Sequence, residues 1–324
     1  MTRNLCTIWC LILQLSILPN ALFAQQDSIA LSTSDFNLQE VSVSARRAST
    51  VKSRTSAFDT QKINSSELCK AACCNLSESF ETNASVDVAY SDAATGARQI
   101  RLLGLSGTYV QLLTENTPGI RGLAQQFGME YIPGPWMESI QVSKGTASVI
   151  NGYESTTGQI NIEYLKPKTQ DPIAVNLMIN SELRSEANFM GAWQLTNPDS
   201  TATDVSTSLL AHGQLMPMYM DANHDSFMDS PTGGQANLLN RWDILKGKYT
   251  GRILVRGIYD QRFAGQGGTN PFMHKLMTAD NPAYNINLLT WRIDGFMKNG
   301  YLIEPDNGMS IGIITALGHH NQNN

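Results

Sequence analysis

From about residue 172 onward the chain alternates polar and apolar residues in segments joined by turn-rich stretches, and the series runs to His319, His320 and Asn321. A period of two sends successive side chains to opposite faces of a strand, so each segment specifies one apolar and one polar face. Val175, Leu177, Ile179 and Leu183 share a face opposite Asn176, Asn180 and Glu182. Phe189, Trp193 and Leu195 lie against Asn188 and Gln194, and Tyr249, Ile253, Val255 and Tyr259 oppose Lys248, Thr250, Arg252, Arg256 and Asp260. Charge gathers on one face throughout. Two architectures carry this pattern: a soluble β-sandwich, and a membrane β-barrel whose strand series is unfinished. The expected strands are 173–183, 188–196, 204–216, 238–246, 249–262, 285–298 and 308–319.

The amino terminus decides between them. Arg3 precedes a short apolar stretch that ends at Ala24, which reads as a signal peptide over 1–24 with cleavage after Ala24; the alternative is a membrane anchor. Export makes the barrel the better reading, because hydrocarbon cannot satisfy unpaired backbone amides and a closed barrel pairs them internally. The 28 acidic against 23 basic residues give no basic footprint for nucleic acid. Cys69, Cys73 and Cys74 remain after cleavage, an odd number that points to a partial disulfide or a buried thiol, with no nearby histidine to complete a zinc set.

Residues 25–55 are rich in Ser and Thr and read as an extended tether. Within it LQEVSVSARR alternates Val41 and Val43 with Ser42 and Ser44, a pattern equally suited to a linker and to a strand that adds to a partner's sheet edge. A compact α/β unit follows over 56–167. SSELCKAACCNLSESFETN reads as helical turns capped by Ser65 or Ser66, while ARQIRLLGL, TYVQLLTENT, ESIQVSKG and GQINIEYL read as strands separated by glycines. The glycines form neither a GxxxxGK[ST] nor a GxGxxG nucleotide loop.

Taken together, LQEVSVSARR, IRLLGLSGTYVQLLTENTPGIRG and PGPWMESIQVSKGTASVINGYESTTGQINIEYLKP resemble the energy-coupling segment and plug of a TonB-dependent outer-membrane receptor, in particular receptors of Bacteroides-like bacteria. The resemblance implies a small α/β plug with a mixed sheet, followed by an incomplete antiparallel transmembrane β-barrel over 173–324, truncated relative to the family's barrel of about 22 strands. It implies an outer-membrane location, contact with outer-membrane lipid, and import of a scarce small molecule or metal complex. It also implies a TonB-type energy-transducing partner gripping Leu38, Gln39, Glu40, Val41, Ser42, Val43, Ser44 and Ala45. Lys144, Gly145, Gly152 and Gly158 match the family's strand-turn-strand arrangement, with Gln159 where many members carry another glycine. Arg98 and Arg101 are expected either to pair with acidic residues of the barrel wall or to lie on a solvated plug surface. The alternative function is a structural or adhesive outer-membrane β-protein without active transport.

If the first barrel strand runs outward from the plug, the NPDSTATD connection is periplasmic and the long connections Tyr219 to Asn237 and Phe263 to Tyr284 face outside. In the first of these, Asp221, Asn223, Asp225, Phe227 and Asp229 fall at positions one, three, five, seven and nine of a calcium-loop pattern. Ser226 stands where that pattern has glycine and Thr232 where it has a bidentate glutamate, so the stretch reads as either a Ca2+ site or a hydrated acidic turn. Met216, Met218, Met220 and Met228 bring thioethers that suit copper, against the plainer reading of side chains at strand spacing. Adjacent His319 and His320 face opposite sides of a strand. Neither a GxSxG elbow nor an HExxH helix is present, which argues against an enzyme.

Overall fold

The computed structural model describes residues 50–52, 59–70, 74–80, 83, 86–105, 107–146, 154–196, 203–266, 284–304 and 307–323. The first part is a mixed six-stranded sheet of β1 (Thr50–Lys52), β2 (Asp59–Asn64), β5 (Val110–Thr114), β6 (Thr117–Pro118), β7 (Met137–Lys144) and β8 (Gly158–Tyr164), in the order β1-β2-β7-β8-β5-β6. All neighbours are antiparallel except β5 and β8, which run parallel. Parallel strands are covered on both faces, and VQLLT of β5 is accordingly buried at every position. A separate hairpin, β3 (Val86–Asp92) with β4 (Ala97–Leu102), projects from this unit. The sheet reaches back to Thr50, because β1 pairs with β2 as its outermost strand.

The segment forms the helical turns the sequence predicts: among the described residues the α1 helix covers Ser65–Lys70, and a separate 3-10 turn covers Glu78–Phe80. That turn is started by Asn75, whose Oδ1 accepts the Glu78 N–H at 3.2 Å. Ile63, Leu76, Phe80, Trp136, Ile140, Val142, Ile160 and Ile162 form the buried core.

The second part is one seven-stranded antiparallel sheet of consecutive hairpins: β9 (Ile173–Ile179), β10 (Ser185–Gln194), β11 (Thr203–Met216), β12 (Thr232–Lys246), β13 (Tyr249–Gly265), β14 (Asn285–Glu304) and β15 (Met309–Asn323). Every expected strand is present. The first ends early, because Leu183 adopts φ 56 and belongs to the turn after Ile179. The fourth begins six residues before expected, since Gly233 and Gly234 interrupt the apolar pattern without interrupting the ladder. A Cβ on Gly233 would lie 1.9 Å from the Gln261 carbonyl oxygen, so close strand approach rather than a turn explains the glycine. The outer strands β9 and β15 lie at opposite ends of the sheet, which is not closed among the described residues.

The sheet is inside out relative to a soluble one. Asn188, Ser206, Ser208, Asn237, Arg241, Arg256 and Asp260 are buried, whereas Val175, Leu177, Leu238, Val255, Ile293 and Leu317 are exposed. The polar face wraps the first unit, and Met190, Leu210, Leu239, Leu254 and Phe296 of the wall join its hydrophobic core. On the outward face Tyr249 sits opposite Tyr301, and ten residues along, Tyr259 sits opposite Trp291. At strand rise and ordinary barrel tilt that spacing is about 25 Å, the height of an apolar band bounded by aromatic girdles.

Candidate functional site

The inner unit is fastened to the wall by buried ion pairs centred on Glu115. This residue and Asn116 form the two-residue turn between β5 and β6 with φ 53 and φ 57, the left-handed conformation that a tight hairpin of this hand requires. Its carboxylate is 1 % exposed, accepts from Arg241 at 2.9 Å and from Arg252 at 3.0 Å, and also accepts the Tyr164 N–H at 2.9 Å. Asp243 links the same two arginines at 3.0 and 2.8 Å, and Lys298 donates to the Glu115 carbonyl. A carboxylate this deeply buried is tolerated only with such compensation.

Further ties run along the wall. Arg262 pairs with Glu130 at 2.7 Å and Asp260 at 2.8 Å, while its guanidinium lies over the Phe127 ring. Arg256 chelates Asp294 and donates to the Tyr164 hydroxyl at 2.9 Å. Arg292 reaches the Gly119 carbonyl at 2.7 Å. At the outer end Glu78 accepts from Arg184 at 3.0 Å and lies 3.9 Å from Arg98. Burial pushes the Glu78 carboxyl upward, but Arg184, the Cys74 N–H and Arg98 outweigh it and hold the group below its ordinary value. Beside it Cys74 is a free thiol, pushed up to about 12 by burial and by Glu186 and Glu78, which makes it a poor nucleophile.

As to the two expectations for Arg98 and Arg101, neither residue pairs with an acid of the wall among the described residues, and Arg101 lies on an exposed plug surface. Arg98 stays within its own unit, donating to Ser77 Oγ at 2.8 Å and the Tyr90 hydroxyl at 3.1 Å, and Arg101 is exposed with no ion pair among the described residues. The sense of the ties is reversed: the inner unit supplies carboxylates and the wall supplies arginines. Sequence reasoning missed Glu78, Glu115 and Glu130. The available signal was the run of arginines at alternating inward positions, Arg252, Arg256 and Arg262, which demands buried counter-charges somewhere.

Of the strand-turn-strand residues, Lys144 ends β7 in register with Gly158, and Gly145 turns at φ 90. A Cβ on Gly158 would meet the Ser143 carbonyl oxygen at 2.3 Å and Leu102 at 2.5 Å, so only glycine fits without a shift. Gly152 and Leu38 to Ala45 lie outside the described residues.

The calcium-pattern residues share one exposed loop. Asp221 accepts the Asp225 and Ser226 N–H groups at 3.1 and 3.0 Å, Asp225 accepts that of Phe227 at 2.8 Å, and Asp229 accepts that of Ala222 at 2.6 Å. Their oxygens thus support the loop's own backbone, and among the described residues no group of three or more His, Cys, Asp or Glu side chains is arranged to hold a metal ion. The same loop closes one side of a cavity of about 160 Å³ whose lining includes Met216, Met218, Met220, Arg98, Arg184 and Arg262. Its floor is the β3–β4 hairpin tip, where Gly96 abuts Pro231.

Residues 52–159 match the family described as the TonB-dependent Receptor Plug Domain. No curated protein matches the chain in sequence. Among solved structures, the closed form of the ferric-catecholate import receptor Fiu from E. coli K12 superposes with a TM-score of 0.56 at 13 % identity, covering 82 % of this chain and 37 % of that one. The pyoverdine-bound receptor FpvA of P. aeruginosa gives 0.51 at 11 % identity, with 84 % and 43 % covered. The siderophore receptor PiuA of Acinetobacter baumannii gives 0.51 at 10 % identity, with 82 % and 46 % covered. The chain therefore spans less than half the length of these receptors. Residues 52–159 thus match a TonB-dependent receptor plug domain, and the strands that follow share the fold of part of the β-barrel in those solved structures.

Proposed function

We propose that this plug and partial barrel belong to an outer-membrane importer, of the kind found in Bacteroides-like bacteria, that moves a scarce ligand inward with energy delivered by a TonB-type protein. The observation that carries the reading is the plug set against an inverted sheet, apolar outward and mostly polar toward the plug, where separable ion pairs stand beside a small shared apolar cluster. A permanently sealed structural barrel has no need of a polar, charge-lined seam. An apolar seam would serve it as well or better, since buried ion pairs add little net stability.

Topology supports a direction of pull. The tether enters the plug through β1 and β2, which form one edge of the plug sheet, whereas Glu115 lies beyond β8 near the other. Tension on Leu38 to Ala45 reaches the outermost strands first, and the β5–β6 edge stays anchored to Arg241 and Arg252. The grip there is a strand added to the partner's sheet edge, so backbone amides matter more than any one side chain.

The test uses bacteria that depend on the receptor carrying this chain, offered iron chelates, haem, cobalamin, copper salts and carbohydrate. For whichever ligand accumulates in energised cells, deleting Leu38–Ala45 is expected to abolish accumulation while surface binding persists. Val41→Pro is expected to impair it too, because proline removes a backbone donor from the added strand. Unchanged energy-dependent uptake in the deletion would reject the coupling role and favour a structural or adhesive protein.

A further inference from the structure

We propose that the outer cavity between the plug hairpin and the loop after β11 takes a soft metal ion of the copper(I) class through the thioethers of Met216, Met218 and Met220. This names the ligand class for the importer reading above and rests on it for its biological purpose.

Three observations converge on that chemistry. Met216 ends β11, Met218 and Met220 follow it at intervals of two, and all three line the same cavity. They are not core residues: Met216 and Met220 are half-buried and Met218 is 42 % exposed, in contrast to the buried Met190 and Met228. Long, flexible thioether arms left facing a cavity are neutral soft donors, which suit copper(I) and are poor partners for hard ions that prefer oxygen.

The electrostatics select a cation. Three arginines line the cavity, and each has a carboxylate beside it: Arg98 lies 3.9 Å from Glu78, Arg184 pairs with Glu78 and Glu186, and Arg262 pairs with Glu130 and Asp260. An anionic chelate would find no unspent positive charge there. Glu182 and Asp229 also line the cavity, and among the described residues neither has an ion-pair partner. Asp221 and Asp225 on the adjoining loop add further negative charge at the mouth. A positive ion is therefore drawn in by the carboxylates and held by the sulfurs, with no change in oxidation state required.

The experiment is a titration of the detergent-solubilised 324-residue chain with silver(I), a redox-inert probe for thioether sites, and with copper(I) in competition with a chromogenic chelator. Binding of one ion per chain is expected, weakened at least tenfold in the Met216→Leu/Met218→Leu/Met220→Leu triple variant and unchanged in Met309→Leu, an exposed methionine on the last strand. Leucine nearly conserves methionine's volume, so folding should survive, which circular dichroism checks. Metal–sulfur scattering at about 2.3 Å in X-ray absorption is expected for the wild type alone. Equal binding by wild type and triple variant, no binding by either, or equal affinity for zinc would overturn the proposal. Because this assay needs no energy source, it is independent of coupling. A chain that binds no silver while its receptor still imports another ligand in a Leu38–Ala45-dependent way refutes the metal site and leaves the importer intact.

Discussion

Glu115 concentrates the physical problem of a plug inside a wall: a charge placed in the interior must be matched there, and removing the match is costlier than never having the pair. Glu115→Gln leaves the fully buried Arg241 with Asp243 as its remaining carboxylate among the described residues, so the chain is expected to lose up to about 3 kcal/mol of stability, read as a shifted denaturation midpoint. The Glu115→Gln/Arg241→Met double variant should recover much of that loss, and a single variant within about 1 kcal/mol of wild type would remove Glu115 from its role as anchor. Glu78 makes a pH-dependent contribution. Its folded value is depressed, so the stability it supplies is present above its ordinary value of 4.5 and is lost as pH falls below that toward the folded value. Acid titration of the unfolding midpoint should show this loss, and Glu78→Gln should flatten it; an unaltered profile in the variant would exclude the Arg184 contact as its source. None of these carboxylates was legible locally, because Glu115 and Arg241 are separated by 126 residues and no periodicity records such a partner.

At the scale of elements, strands were the readable part. Alternation located all seven barrel strands because one face is apolar and exposed and the other meets the plug, so a slip of one residue would invert every side chain. Errors arose where glycine replaced side chains, as at Gly233, and where the chain left the ladder, as at Leu183. The loop after β11 shows the same local logic. Ser226 holds φ 71 where glycine costs nothing, so Ser226→Gly is expected to leave the loop intact and stabilise it by up to about 1 kcal/mol, measured by thermal denaturation. In the plug, Gly158→Ala forces a Cβ into the Ser143 carbonyl and should cost about 1–3 kcal/mol; a neutral result would mean that β7 and β8 part more easily than their register implies.

For the molecule as a whole, the decisive property is an open sheet. Among the described residues β9 and β15 each pair on one side only, and β15 is exposed along nearly its whole length, with Ile311, Ile313, Ile314 and Leu317 outside any core. Unpaired strand edges next to apolar surface recruit further strands, which is how barrels normally remove the hazard by closing. The 324-residue chain in detergent is therefore expected to associate, with light scattering reporting oligomers whose size grows with concentration. Proteolysis of that material should spare a core around 56–167 longer than the outer hairpins, because the plug has β5 buried at every position whereas β9 and β15 are held by one neighbour each among the described residues. Adding lysine at Ile313, on the exposed edge strand, should reduce association without disturbing the plug, since charge on an edge opposes strand addition. A protease-resistant monomer that neither associates nor responds to Ile313→Lys would show that the edges are already satisfied, and the open-sheet account of this chain would be wrong.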